Sequence, residues 1–296
     1  MSTTERIEEV SNSQQHQPDQ TNLEVPPPSE AIEVKAEHLN YLKKGVNLLL
    51  KQKDEEKYLL MLEKLIYLTM QYLGKSTKKQ LSFDPSEEII TYVEKVNKKA
   101  VETFKEGKYQ ESAKVVSSVV ELLNQKEIVK IYENPQKYYE SKILAYNNLS
   151  CVYNAMKKYG LSAKVISFTL QLEEELAAAR YGQSELSIIS TYFNYSAILS
   201  QAKQHDKTIP ALQKGFTYME KVENRKGLDE SEVVHLKNLR ISGLFMMGKE
   251  YEVNGNIDKA KASLDKAMAI AKELKKQNII EKVEQALANL KKKDTS

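Results

Sequence analysis

The side chains best placed to do chemistry in this chain are amides. Asn147 and Asn148 stand side by side, Asn154 follows two turns later, and Asn194 recurs further on. All lie in stretches whose apolar residues recur at helical spacing, such as AYNNLSCVYNAMKKYGLSAKV over residues 145–165. Asparagine is poor in a helix interior because its amide competes for nearby backbone groups. It offers in return donors and an acceptor on one short arm, which can pair with the backbone of an extended peptide whatever its side chains are.

Other reactive types are sparse. The single cysteine, Cys151, has no helix N-terminus or flanking base to lower its pKa, so it reads as a small groove or packing residue. His16, His38, His205 and His235 are scattered, and none stands within a turn of a cysteine or second histidine, as a zinc site would need. Leu73-Gly74-Lys75-Ser76-Thr77 is similar to the end of a phosphate-binding loop. Thr69, however, occupies the place of the first glycine, and a helical pattern precedes it where a strand should. No catalytic constellation is present. The expectation is a non-enzymatic protein with no cofactor, no metal and no small-molecule substrate.

The elements that carry these residues follow from composition. The chain has 296 residues, 41% hydrophobic and 29% charged, with ten glycines and seven prolines, few breakers for that length. Long helices are predicted, and sustained alternation or hairpin signals are missing. A net charge of +3 is too small to imply nucleic acid. No apolar run approaches the roughly 18 residues of a membrane span, and the start of the chain lacks the apolar core of a signal peptide. One cysteine excludes an intrachain disulfide and fits a reducing compartment. Residues 1–34 read as a disordered acidic tail containing Pro26-Pro27-Pro28; residues 1–40 hold eight acids against Arg6 and Lys35. Asp84-Pro85-Ser86-Glu87 and Asp229-Glu230-Ser231-Glu232 are capped helix starts.

Self-comparison shows a repeat. Residues 144–166 align with 190–212, placing Tyr146 on Tyr192, Asn148 on Asn194 and Ser150 on Ser196. Residues 98–123 and 244–274 supply two further copies. Each reads as helix, short turn, helix, with small and large residues in fixed order: Ala100, Gly107, Tyr109, Ser112, Val116 in one, and Ser150, Tyr153, Tyr159, Ser162, Ile166 in the next. These residues at this spacing resemble the tetratricopeptide repeat. The copy around residues 190–212 departs most from that pattern, with His205, Thr208 and Gly215 at places where a large apolar and two small residues are usual. The turn positions Tyr109, Tyr159, His205 and Ile257 lie further apart than the family's usual period of about 34 residues. Helices longer than usual follow, as in kinesin light chain-type scaffolds.

The resemblance implies an all-α, right-handed solenoid of antiparallel helix pairs. Residues 84–274 would form four repeats, residues 36–80 a further degenerate pair, and residues 277–293 a capping helix. It further implies a concave groove lined by the first helix of each pair. In the second copy Asn147, Asn148, Cys151 and Asn154 would face it; in the third, Phe193, Asn194, Ala197, Ser200 and Gln201; in the fourth, Phe245. Similar scaffolds use groove asparagines to hold a peptide, and Asn148 and Asn194 match that place; bonding across to the next repeat is the open alternative. The carboxylate clamp of co-chaperone repeats is not matched, because Asn97, Val101, Ser190 and Asn194 stand where it needs two lysines, an asparagine and an arginine. Tyr138-Tyr139 and Tyr192-Phe193 are pairs that one buried stripe cannot hold together. Expected partners are other proteins, with no nucleic acid and no membrane insertion, in the cytoplasm, including the cytoskeleton or cilia. The alternative reading is a structural subunit of such an assembly, bound through its outer surfaces.

Overall fold

The computed structural model describes residues 34–74, 81–132, 134–178, 185–225 and 227–294. The expected acidic tail lies outside the described residues apart from Val34, as do Lys75, Ser76 and Thr77. Residues from Lys35 onward form one compact unit. Among the described residues all regular structure is helical: α1 (Ala36–Gln52), α2 (Glu55–Leu73), α3 (Pro85–Lys105), α4 (Tyr109–Leu123), α5 (Lys126–Ile131), α6 (Pro135–Ala155), α7 (Tyr159–Ala178), α8 (Glu185–Gln201), α9 (His205–Glu223), α10 (Glu230–Val253), α11 (Ile257–Glu273) and α12 (Gln277–Asp294). The pairs α1/α2, α3/α4, α6/α7, α8/α9 and α10/α11 pack antiparallel, and α12 lies against α11. The short α5 has no counterpart in the other pairs; Ile128 and Ile131 anchor it in the core.

Helix starts follow side-chain chemistry. Asp84 accepts from the Ser86 N–H with Pro85 at the first helical position, and Asn134 accepts from Gln136 N–H ahead of Pro135. Asp229 and Glu232 form a complete capping box. The ends of the first helices share another device. Gly107, Lys157, Lys203 and Gly255 adopt left-handed conformations with φ of 79°, 59°, 58° and 72°. The following N–H groups then reach back to Thr103, Tyr153, Leu199 and Tyr251 carbonyls at 2.8–3.2 Å. This closes each helix and turns the chain by way of few residues.

The four pairs from α3/α4 to α10/α11 share a close crossing of small residues separated by twelve positions. Ser112 Oγ donates to the Ala100 carbonyl at 2.8 Å. Ser162 Oγ donates to the Ser150 carbonyl at 2.8 Å, and Ser150 Oγ returns a bond to the Ser162 carbonyl at 3.1 Å. Ser196 and Thr208, both buried, occupy the same places in α8 and α9. At the last crossing a Cβ on Gly248 would lie 3.2 Å from the Ala260 carbonyl and 2.7 Å from Leu264 Cγ, so only glycine allows this approach.

The α8/α9 pair departs from the pattern for a visible reason. Tyr192 and Phe193 are both buried, at 3% and 4% exposure, against the expectation from one stripe. Helix α8 is covered by α7 on one side and by α9 and α10 on the other, so it has two buried faces. Tyr192 joins Leu170 and Ile188 on one. Phe193 joins Leu212, Met219 and Leu236 on the other. Its ring lies over two glycines: a Cβ would meet it at 2.6 Å from Gly215 and at 2.6 Å from Gly243. Gly215→Ala is therefore expected to cost about 1–3 kcal/mol, the range for overpacking. Urea unfolding checks this, and Phe193→Leu in the same chain should recover part of the loss.

Candidate peptide-binding groove

The first helices α3, α6, α8 and α10 bring the expected groove residues to equivalent places, but in different states. Asn194, Gln201 and Cys151 are exposed, and Asn147, Asn154 and Ala197 are half-buried. The groove wall also carries Val101 and Leu144, 38% and 42% exposed. Two expected ligand contacts are occupied instead by the protein itself. Asn148 Nδ2 donates to Asn97 Oδ1 at 2.8 Å, and Asn97 Nδ2 in turn donates to the Val93 carbonyl at 2.9 Å. Asn148 thus ties α6 to α3. Ser200 donates its hydroxyl to Glu250 Oε1, tying α8 to α10. Phe193 is a correction of a different kind: it is core, for the packing reason above, and no groove contact. Phe245 is half-buried and packs with Leu244 against the cluster around Leu264 and Val283.

Asn154 is the exception. Its Oδ1 is buried and has no hydrogen-bond partner. Its counterpart one repeat on is Ser200, which finds Glu250. The residue equivalent to Glu250 in the α8 repeat is Ile198, which offers nothing polar (248 + 2 = 250 and 196 + 2 = 198, counted from the crossing residues). A buried acceptor without a donor is costly.

Sequence reasoning missed the polar clasps. Glu250 is 3% exposed, and His205 Nδ1 lies 2.8 Å from its second oxygen, Oε2. His205, an anomaly in the repeat pattern, is therefore half of a joint between repeats. The signal was present in the repeat length: the Asn97–Asn148 and Ser200–Glu250 pairs are separated by 51 and 50 residues, one repeat each. Cys151 is open to the groove, yet desolvation by its surroundings pushes its thiol pKa up, the opposite of what a nucleophile requires. Among the described residues no three His, Cys, Asp or Glu side chains gather as a metal would need. Likewise no helix is long and apolar enough to cross a membrane.

This architecture is that of a tetratricopeptide-like α-solenoid. The chain resembles the crystal structure of BtubC (BKLC) from P. vanneervenii, with a TM-score of 0.50, 14% identity, and coverage of 81% of this chain and 82% of that one. It also resembles the crystal structure of a putative kinesin light chain with nearly identical TPR-like repeats from Podosopora anserina, at a TM-score of 0.44 and 13% identity, covering 81% of this chain and 98% of the other. No protein-family model and no curated protein sequence matches the chain. Identities this low speak for the fold alone.

At the far end of α7 lies a second buried carboxyl. Glu173 is fully buried; its Oε1 accepts from Ser187 and Thr191 of α8, while Oε2 has no partner. Burial pushes its pKa up, only partly opposed by the two hydroxyls. The folded state therefore holds this proton more tightly than the unfolded chain, and stability falls as pH rises upward from the ordinary glutamate range. Melting curves across pH should show that decline in the wild type and a shallower one in Glu173→Gln. Separately, Asn148→Ala leaves Asn97 Oδ1 stranded and is expected to cost about 1–3 kcal/mol, whereas Asn194→Ala, at an exposed site, should stay within about 0.5 kcal/mol. Chemical denaturation of both variants makes the comparison.

Proposed function

We propose that the protein is a non-enzymatic scaffold that holds an extended peptide segment of a partner protein along its concave groove. The observation that carries this reading is the row of amides left over by the clasps, exposed Asn194 and Gln201 on α8 and half-buried Asn147 and Asn154 on α6, with Asn154 Oδ1 unpartnered. Small neighbours at Ala155 and Ala197 leave room for a main chain to approach. The amides would bond to peptide backbone, which gives affinity without dictating sequence. Specificity would come from the apolar contacts at Val101 and Leu144. The single cysteine and the fold fit a cytoplasmic setting, including the cytoskeleton or a cilium.

A second reading has its own observation. The α1/α2 pair exposes Tyr41 at 78%, Leu60 at 69% and Tyr67 at 55%, an unusual number of large apolar groups for the end of a solenoid. That end suits a structural subunit held in an assembly through its outer surfaces.

Affinity capture from native extract with mass spectrometry separates the two. On the groove reading, Asn147→Ala with Asn194→Ala loses the partner while melting temperature stays near wild type. Asn154→Leu should also lose it, with no loss of stability, because the stranded oxygen is replaced by apolar atoms of similar shape. Partners kept by these variants but lost by Tyr41→Glu with Tyr67→Glu would establish the second reading and overturn the first.

A further inference from the structure

The turns that join the first and second helices of each pair line one edge of the solenoid, and that edge is rich in lysine. Between Glu140 and Glu173 the chain has no acidic residue and four lysines, Lys142, Lys157, Lys158 and Lys164. Three of these lie at or just beyond the α6–α7 turn. The α3–α4 turn contributes Lys108 and Lys114, and the α8–α9 turn contributes Lys203. Lys114, Lys157, Lys158, Lys164 and Lys203 are exposed and make no ion pair among the described residues. The acids Glu173, Glu174, Glu175 and Glu185 lie at the opposite edge, where α7 gives way to α8.

Two features of this edge bear on what it could hold. The first is backbone conformation. Every first helix ends in a left-handed residue seven positions after the crossing residue, and Gly107 and Gly255 fill that place without steric cost. Lys53, Lys157 and Lys203 fill it with φ of 58°, 59° and 58°, in a region where a side chain is strained, and Lys275 does the same at the α11–α12 turn. Three of the five turns on this edge thus carry a cation in place of a glycine, one of them, Lys157, beside the recess described next. The second is shape. Lys108, Lys114 and Lys158 line a recess of about 840 Å³ between the α3–α4 and α6–α7 turns, with Tyr109 and Met156 as apolar walls.

We infer that this turn edge, from Lys108 to Lys203, is a second docking surface that takes an acidic peptide segment. Packed helices generally lie about 8–10 Å apart, which sets the scale for the spacing of successive turns. An extended peptide rises about 3.3 Å per residue, so one carboxylate at roughly every third residue matches the turns. A peptide fits better than nucleic acid, because acids interrupt the cations: Glu111 shares the recess, and Glu106 pairs with Lys108 at 2.8 Å. A continuous phosphate backbone would meet both.

The test uses the full chain and a fluorescein-labelled peptide with glutamate at every third position, beside a control with glutamine in those places. Anisotropy should show binding of the acidic peptide alone, weakening as salt rises. Lys114→Glu with Lys158→Glu should weaken it by about tenfold or more. The decisive variant is Lys157→Gly with Lys203→Gly, which relieves two of the strained turns: its melting temperature should rise while its affinity for the peptide falls. Lysines with only a structural role would move both together or neither. Failure of the acidic peptide to bind, or binding that these variants leave unchanged, overturns the inference. So does tighter binding of a labelled single-stranded oligonucleotide through the same lysines. None of these substitutions touches the groove, so the outcome is independent of the peptide-holding role proposed above.

Discussion

Everything in this molecule depends on helices approaching closely enough for backbones to meet. The four crossings, at Ala100/Ser112, Ser150/Ser162, Ser196/Thr208 and Gly248/Ala260, each put a residue with little or no side chain at the point of contact. Large side chains there would force the pair apart by several ångströms and empty the layers on either side. With the crossing fixed, the rest of each repeat has little freedom. The left-handed residue falls seven positions later, the second helix starts directly after it, and the large residues fill the space on both sides.

Between repeats the apolar core continues, as where Leu149 meets Ala100 and Phe193 meets Leu236, and polar clasps are added to it. The stack joins α3 to α6 through Asn97 and Asn148, and α8 to α10 through Ser200, Glu250 and His205. α7 joins α8 through Glu173 with Ser187 and Thr191. Buried polar groups of this kind are costly unless satisfied, so they specify one arrangement of neighbours more sharply than hydrophobic contact can. Asn154 stands at the same structural level with its oxygen unanswered.

The fold was legible in the sequence because its determinants are local and periodic. Small residues twelve apart, Asp84 before Pro85, and the Asp229–Glu232 box all act within a few turns of helix. The site was legible only in part. Asn147, Asn154 and Asn194 lie where helical periodicity puts them, but whether an amide faces a ligand or a neighbour depends on what stands one repeat away. Asn148 meets Asn97, Asn194 does not meet a like partner, and nothing in either residue's own surroundings announces that. Phe193 failed for a similar reason: its burial is licensed by Gly215 and Gly243, on two other helices. The weak copy of the repeat was thus a set of mutually adjusted departures, His205 with Glu250 and Gly215 with Phe193.

The clasps also give the solenoid a mechanical character. On the groove side, the joints on either side of α6 and α8 are unequal: an amide pair closes the joint before α6 and a carboxylate closes the one after α8. At the joint between α6 and α8, Asn154 has no such clasp. A rod made of stiff segments flexes where its couplings are weakest. On the far side of the same joint, Glu173 with Ser187 and Thr191, and Glu174 with Tyr192, hold α7 to α8, so the joint would act as a hinge clamped at its outer edge and free to open on the groove side. That would make the middle of the groove its most adaptable section, able to widen or narrow around a guest while both halves keep their shape.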